Sequence, residues 1–315
     1  MSGRRRRSRD WESPAHGLHA PAGSVQEIPA LARAVSTVLP ATAAFTHLTG
    51  AALRGWALPD RVQTDVPIIV SNGAPTPHLN RRGVYVRRCH LEPLDVEVVD
   101  GIAVASAAQI LRELAEDLAL LDLVVAIDSA QHLGDLSTEA LATLIRPHRR
   151  GSVRLMRALA LADWRSESGW ETLLRLVHVL SGLTAVEPQR VLTDAWGTPI
   201  TRADLWLVGT NRLHEYDGAH HLLPHQQRED RRRDNELLRA RYDRRGYTRP
   251  DITLHAARIV RDAEDAFGLP HDPRRVQGWL REYRRSSHSA SGQRALLERL
   301  HRYRRPVPPR STRTR

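Results

Sequence analysis

The sequence contains no lysine: all 47 residues in its Lys+Arg total are arginine. That excludes a Walker A phosphate loop, a Schiff-base lysine and any chemistry on a titratable ammonium. One cysteine, Cys89, excludes an internal disulfide framework and a CxxC zinc site, and fits a reducing compartment. Aromatic residues make up only 5% of the chain, and tryptophan outnumbers phenylalanine seven to two. Apolar runs are short. The longest, Leu118 to Ile127, is broken by Asp122, whereas a membrane span needs roughly 18–20 residues. No membrane partner is expected.

The 315 residues suggest about two domains. A hydrophobic content of 41% and a mean hydropathy of −0.44 describe a globular chain with apolar mass for a core. The formal charge of +11 is unevenly placed: residues 274–315 hold 13 arginines against Glu282 and Glu298, which accounts for all of it. Residues 1–10 add five arginines and one acid, so the middle of the chain is slightly acidic. A basic end is the electrostatic footprint of a nucleic-acid partner, or a solvated tail that aids solubility. The opening MSGRRRRSRD is followed by the polar stretch Trp11 to Gly23 rather than an apolar segment. No export signal is read there, and a cytoplasmic location is expected.

Residues 1–27 read as a disordered basic amino terminus. Apolar spacing predicts a helix over Ile28 to Val38, and Thr46 is placed to cap a second through Trp56. That pair fits part of a helix-turn-helix or simple packing. Val66–Ser71 and Gly83–Arg88 read as strands, and Leu94–Val104 adds one or two more with Asp100-Gly101 as a turn. Ser106 and Gln109 form a capping-box pattern before a helix to about Leu118; further helices are predicted from Leu120 to Leu133 and from Thr138 to Ile145. Residues 146–165 hold the basic segment RPHRRGSVR and a short apolar helix, and the domain boundary is placed there, near 150–165. Beyond it come a helix from Ser168 to Gly182, a strand over Val186–Leu192, a turn at 194–197, strands over Ile200–Val208 and Leu213–Asp217, and a charged helix over Gln226–Tyr242. A last strand is predicted over Tyr247–Leu254, interrupted by Pro250, and a last helix over Ala256–Phe267.

Strand parity brings three acids together. In ITRADLWLV, Asp204 shares a face with Ile200, Arg202, Trp206 and Val208; in LHEYD, Leu213, Glu215 and Asp217 share one. A two-residue turn at Gly209-Thr210 sets Asp204 opposite Glu215; a four-residue loop sets it opposite Asp217. Facing like charges destabilise a sheet unless a cation neutralises them, and carboxylate oxygens suit Mg²⁺ or Mn²⁺. The alternative is pairing with Arg202 or Arg212. Asp217 is followed by Gly218, Ala219, His220 and His221, while Glu171 opens the preceding helix in an S-x-x-E pattern that also reads as a capping box. The segment Arg228 to Asp234 offers Arg228, Arg231, Arg232 and Arg233 to phosphate, or a salt-bridged helix face.

The order S-x-x-E, R-x-D-L, E-Y-D-G-x-H-H and D-x-x-R resembles the bacterial "domain of unknown function 559" family, over residues about 163–250. That family is related to very-short-patch-repair endonucleases in the PD-(D/E)XK superfamily. Residues 40–135 more weakly resemble the carboxy-terminal region of AbiEi-type antitoxins. The resemblance implies that Asp204 and Glu215 are the metal-binding acids, with the Tyr216 carbonyl as a further ligand. It implies that Asp217 takes the place usually held by lysine, that Glu171 is the acid of the leading helix, and that His220 and His221 follow the glycine turn.

The fold expected is therefore α/β: a restriction-endonuclease-like mixed sheet flanked by helices at 163–268, preceded by an α+β domain at 28–150 and followed by a basic helical or disordered tail at 274–315. The function expected is Mg²⁺- or Mn²⁺-dependent hydrolysis of DNA phosphodiesters, with His220 or His221 moving the proton and Arg228 to Arg233 holding flanking phosphates. The alternative is a non-catalytic, nucleic-acid-binding, antitoxin-like regulator.

Overall fold

The alternation of helical and strand periods along the chain builds mixed sheets flanked by helices, an α/β protein. A computed structural model describes residues 11–13, 15, 17–24, 27–58, 68–72, 84–88, 91–137, 140, 145, 148–194, 196–218 and 236–303. The chain divides into two compact units: Met1–Leu118 with Thr138–Val153 and Arg294–Arg315, and Ala119–Ser137 with Arg154–Gln293.

In the first unit, β1 (Trp11–Glu12) pairs with β2 (Ala20–Pro21), within the stretch read as disordered. Helix α1 (Ile28–Ser36) carries proline in its first turn, ends two residues short of the predicted Val38, and buries Val35 of the predicted stripe together with Ala32. A five-stranded sheet has the order β5-β4-β3-β7-β6, from β3 (Ala43–Phe45), β4 (Ile68–Asn72), β5 (Val84–Arg88), β6 (Val96–Val99) and β7 (Ile102–Ala105). Strands β6 and β7 turn through Asp100 and Gly101, both at positive φ, the backbone a tight hairpin demands. Helix α2 (His47–Leu53) follows Thr46, but the Thr46 hydroxyl does not cap it. It donates instead to Glu113 Oε2 at 2.6 Å, because Glu113 is fully buried on α3 (Ala107–Asp117) and needs donors. Ser106 caps α3 through the Gln109 amide, while the Gln109 side chain turns to Glu113.

The same helix carries Asp117 into a buried polar cluster. Its Oδ2 accepts from Tyr303 at 2.6 Å and from Arg302 at 3.0 Å, and meets His47 Nε2 at 3.1 Å. Arg87 from β5 bridges Glu113 at 3.2 Å and Glu116 at 3.2 Å and bonds the Tyr303 hydroxyl. Burial pushes the Asp117 carboxyl up, but the bonds from His47 and Tyr303 and the charge of Arg302 win and hold it at about 2.

In the second unit, α4 (Leu120–His132) is apolar nearly all round and buried on every side, and it packs on α6 (Gly169–Leu180). Helix α5 (Ser152–Leu159) precedes α6. A four-stranded sheet has the order β11-β10-β9-β8, from β8 (Val186–Thr193), β9 (Pro199–Leu207), β10 (Arg212–Tyr216) and β11 (Asp243–Tyr247). The β8–β9 and β9–β10 pairs are antiparallel, and β10–β11 is parallel. Ala203, Leu205 and Leu207 are buried, the face that alternation assigns to the core.

The strand predicted over Tyr247–Leu254 is corrected: strand β11 ends at Tyr247, and α7 (Arg249–Leu254) follows. Thr248 and Asp251 form a capping box around Pro250, and a proline in the first helical turn loses no hydrogen bond. Helix α8 (Ala256–Ala266), α9 (Gln277–Tyr283) and α10 (Ala290–His301) complete the described chain. Part of the basic segment at 274–315 is thus folded, with Trp279 fully buried. Residues 236–239 are helical. Most of the predicted helices at 138–145 and 226–242 lies outside the described residues. Among the described residues no helix is long and apolar enough to cross a membrane.

Candidate acid cluster on strands β9, β10 and β11

The β9–β10 ladder pairs Leu213 with Trp206 and His214 with Leu205. The described ladder ends at that pair; continued by one step, its register would set Asp204 opposite Glu215, as a two-residue turn at Gly209-Thr210 would. Gly209 supplies a φ of +84° there. Leu213, Glu215 and Asp217 follow on one face, and His214 and Tyr216 on the other. Glu215 is only 3% exposed, so its charge sits where water screens little.

Each acid is tied into the sheet. The Tyr216 backbone amide donates to Asp204 Oδ2 at 2.9 Å. From β11, Arg244 donates through Nε to Glu215 Oε2 at 2.6 Å and through Nη2 to Asp217 Oδ1 at 2.7 Å. The parallel register sets Arg244 beside Leu213 and Gly246 beside Glu215, which puts the guanidinium on the face of the acids. A Cβ at Gly246 would lie 1.8 Å from Asp217 Oδ2, so any side chain there would move that carboxylate aside. The cations named from the sequence as partners for the acids go elsewhere. Arg202 pairs with Glu167 at 2.6 Å, and Arg212 with Asp243 at 3.0 Å and with Asp262.

The positive charge that the described contacts set against Glu215 and Asp217 is the Arg244 guanidinium. Among the described residues no group of three His, Cys, Asp or Glu is arranged to hold a metal ion. Glu171 is held at the start of α6: Oε1 accepts from the Ser168 hydroxyl at 2.8 Å, and Oε2 accepts from the Glu167 amide at 2.8 Å and from Gln189 at 2.7 Å. Those are the bonds of a cap that also staples α6 to β8. His220, His221, Arg228, Arg231, Arg232 and Arg233 lie outside the described residues.

The opposite face of the sheet carries a buried chain that the sequence reading missed. His178 Nδ1 donates to the Leu174 carbonyl at 2.9 Å, and its Nε2 meets His214 Nδ1 at 2.9 Å. His214 Nε2 meets Asp262 Oδ2 at 3.0 Å, and the Tyr247 hydroxyl donates to the same oxygen at 2.7 Å. Burial pushes His178 down to about 3, so its imidazole is neutral. Burial also pushes Asp262 up, yet hydrogen bonds from His214, Arg212 and Tyr247 hold it well below the usual carboxylate range. Tyr216, on this face too, stacks on Trp170 at 5.7 Å, and Arg249 lies 5.3 Å over that indole. The signal was present in part: His178 falls on the buried stripe of α6. Asp262 and Tyr247 join it only through the fold.

Comparison of the chain with protein-family models, curated proteins and solved structures finds no match.

Proposed function

We propose that this chain is a metal-dependent DNA endonuclease resembling the very-short-patch-repair group. What supports the reading is the β9–β10 register, which continued one step would set Asp204 opposite Glu215, with Arg244 bonding both Glu215 and Asp217. Asp204 and Glu215 would hold the cation, with the Tyr216 carbonyl as a further ligand. When bound, Mg²⁺ or Mn²⁺ polarises a phosphate oxygen and lowers the pKa of a water. The chain's own residues do the rest. The Tyr216 amide fixes the Asp204 carboxylate, and the parallel strand β11 fixes Glu215 and Asp217 through Arg244. His220 or His221 is assigned the proton transfer, and Arg228, Arg231, Arg232 and Arg233 the flanking phosphates, as the sequence order suggests.

The test is cleavage of plasmid, mismatched and single-stranded DNA with Mg²⁺ or Mn²⁺, by the native chain and by Asp204→Asn. The substitution changes one charge and almost no volume, and Asn keeps an oxygen for the Tyr216 amide. Cleavage should fall by on the order of 100-fold or more, with metal affinity falling alongside it. Cleavage that survives intact would remove Asp204 from the site.

The second reading is a nucleic-acid-binding, antitoxin-like regulator without turnover. The observation favouring it is that Arg244 already balances Glu215 and Asp217. On that reading the native chain binds DNA but cuts none of the three substrates with either cation.

A further inference from the structure

We infer that Arg302 and Tyr303 form a latch: they dock as an intramolecular ligand in a polar site of the first unit, and a peptide carrying the same arginine–tyrosine pair binds that site once the latch is vacated. The site is built from His47 on α2, Arg87 on β5, and Glu116 and Asp117 on α3. Arg294–Arg315 belongs to the same unit as these elements. Asp117 Oδ2 accepts from the Tyr303 hydroxyl at 2.6 Å and from Arg302 Nη2 at 3.0 Å. Arg302 Nη2 also lies 3.6 Å from Glu116 Oε2. Two guanidiniums lie over the Tyr303 ring, Arg87 at 4.9 Å and Arg302 at 4.8 Å from its centroid, and Arg87 donates to the Tyr303 hydroxyl.

The rest of the site is held by bonds in which the latch takes no part. Arg87 pairs with Glu113 and Glu116, each at 3.2 Å, and Glu113 accepts from Thr46 at 2.6 Å and from Gln109 at 2.7 Å. His47 takes a φ of +55°, the left-handed region, and meets Asp117 through Nε2 at 3.1 Å. Backbone strain of that kind gathers at ligand clamps. His47 Nδ1 is buried with no hydrogen-bond partner among the described residues, an acceptor that the latch leaves unfilled. Asp117 is fully buried, and a carboxylate that deep needs donors. With the latch away it keeps His47 and, at 3.6 Å, Arg87. The vacated site is a buried anion short of donors, which a guanidinium and a phenol together supply. The latch is also the more accessible side of the contact: the Arg302 side chain is 28% exposed and that of Arg87 7%. It follows directly on the last turn of α10, where helices fray.

The experiment adds a fluorescein-labelled peptide with the sequence of residues 299–305, RLHRYRR, to the full-length native chain and its variants, and reads anisotropy. In the native chain the latch is tethered beside its site and outcompetes free peptide, so Arg302→Gln with Tyr303→Ala should bind the peptide at least about tenfold more tightly than the native chain. The same peptide with alanine in place of its tyrosine should bind that double variant at least about tenfold more weakly, because the hydroxyl bond to the carboxylate is lost. Adding Asp117→Asn to the double variant should remove the gain. Tyr303→Phe keeps the ring under the guanidiniums and loses only the hydroxyl; its affinity should lie between native and double variant, and it carries the comparison if the double variant does not fold. Hydrogen exchange gives an independent measure: Tyr303→Phe should speed exchange in the last turn of α10 and leave α3 unchanged.

Equal peptide affinity for the native chain and the folded latch variants overturns the inference. So does binding that survives loss of the peptide's tyrosine or the added Asp117→Asn, which is attraction of a basic peptide to acidic surface. Exchange that rises in α3 together with α10 makes the two residues part of the unit's folded core and overturns the latch as well. A gain in affinity that depends on Asp117 and on the peptide's tyrosine, with faster exchange confined to α10, establishes it.

Discussion

Asp117 and Asp128 are both buried, both bonded to arginine, and shifted in opposite directions. Asp117 is lowered from 3.8 to about 2, because His47, Tyr303 and Arg302 together outweigh its burial. Its folded form holds fewer protons than the unfolded chain between those values. Its stabilisation is therefore complete above about pH 4 and is lost as pH falls through 2. Asp128 on α4 is raised to about 6 by burial, although Arg175 at 2.7 Å, Thr172 and the Asp163 amide all bond it. Here the folded form holds more protons, so stability declines as pH rises from about 4 to 6. Melting temperatures recorded from pH 2 to 8 should separate the two. Asp117→Asn should melt lower at pH 7 and lose part of the acid limb below pH 4. Asp128→Asn should flatten the decline between pH 4 and 6. If neither variant changes its slope in the window named, these carboxyls do not set the acid response.

At the scale of elements, caps and glycines decide where helices start and strands end. Thr248 closes β11 and opens α7 by bonding Asp251, so Thr248→Ala should cost about 1 kcal/mol in denaturant unfolding. A cost near zero would mean that α7 is held by packing alone. Two glycines at positive φ should respond differently to alanine. Gly182, after α6, has open space around a would-be Cβ, so Gly182→Ala should cost only the strain of a left-handed alanine, about 1 kcal/mol. At Gly151 the same atom would lie 2.6 Å from the Ala115 carbonyl oxygen, backbone that cannot swing aside, so Gly151→Ala should cost clearly more. Comparable melting temperatures for the two alanine variants would contradict that contact.

For the whole molecule, the basic carboxy-terminal region has two parts that need separate deletion. Residues 274–303 include Trp279, Leu296 and Leu300, all buried, and Tyr303, whose hydroxyl bonds Asp117. Removing everything from 274 onward should destabilise the protein as well as change its charge. Removing only 304–315 takes away five arginines and leaves those contacts. If this stretch touches phosphates, the shorter deletion should weaken DNA binding and make its salt dependence shallower at an unchanged melting temperature. An unchanged salt slope would assign the stretch to solubility.

Local chemistry made much of this legible in advance. Alternation in ITRADLWLV and LHEYD assigned Asp204, Glu215 and Asp217 to one face but left two registers open; the ladder pairing Leu213 with Trp206 fits the shorter turn. The caps at Ser106 and Ser168 and the Asp100-Gly101 turn were readable because each bond closes within a few residues. Thr46 and the strand read over Tyr247–Leu254 were misjudged: a buried Glu113 draws the Thr46 hydroxyl, and Pro250 belongs to the first turn of a helix rather than interrupting a strand. Arg244 could not be found that way. It reaches Glu215 across 29 residues, through a parallel pairing that no hairpin announces. The sequence by itself determined which acids share a face; only the tertiary structure decided which cation neutralises them, because a parallel strand's register is set by packing rather than by the turn that precedes it.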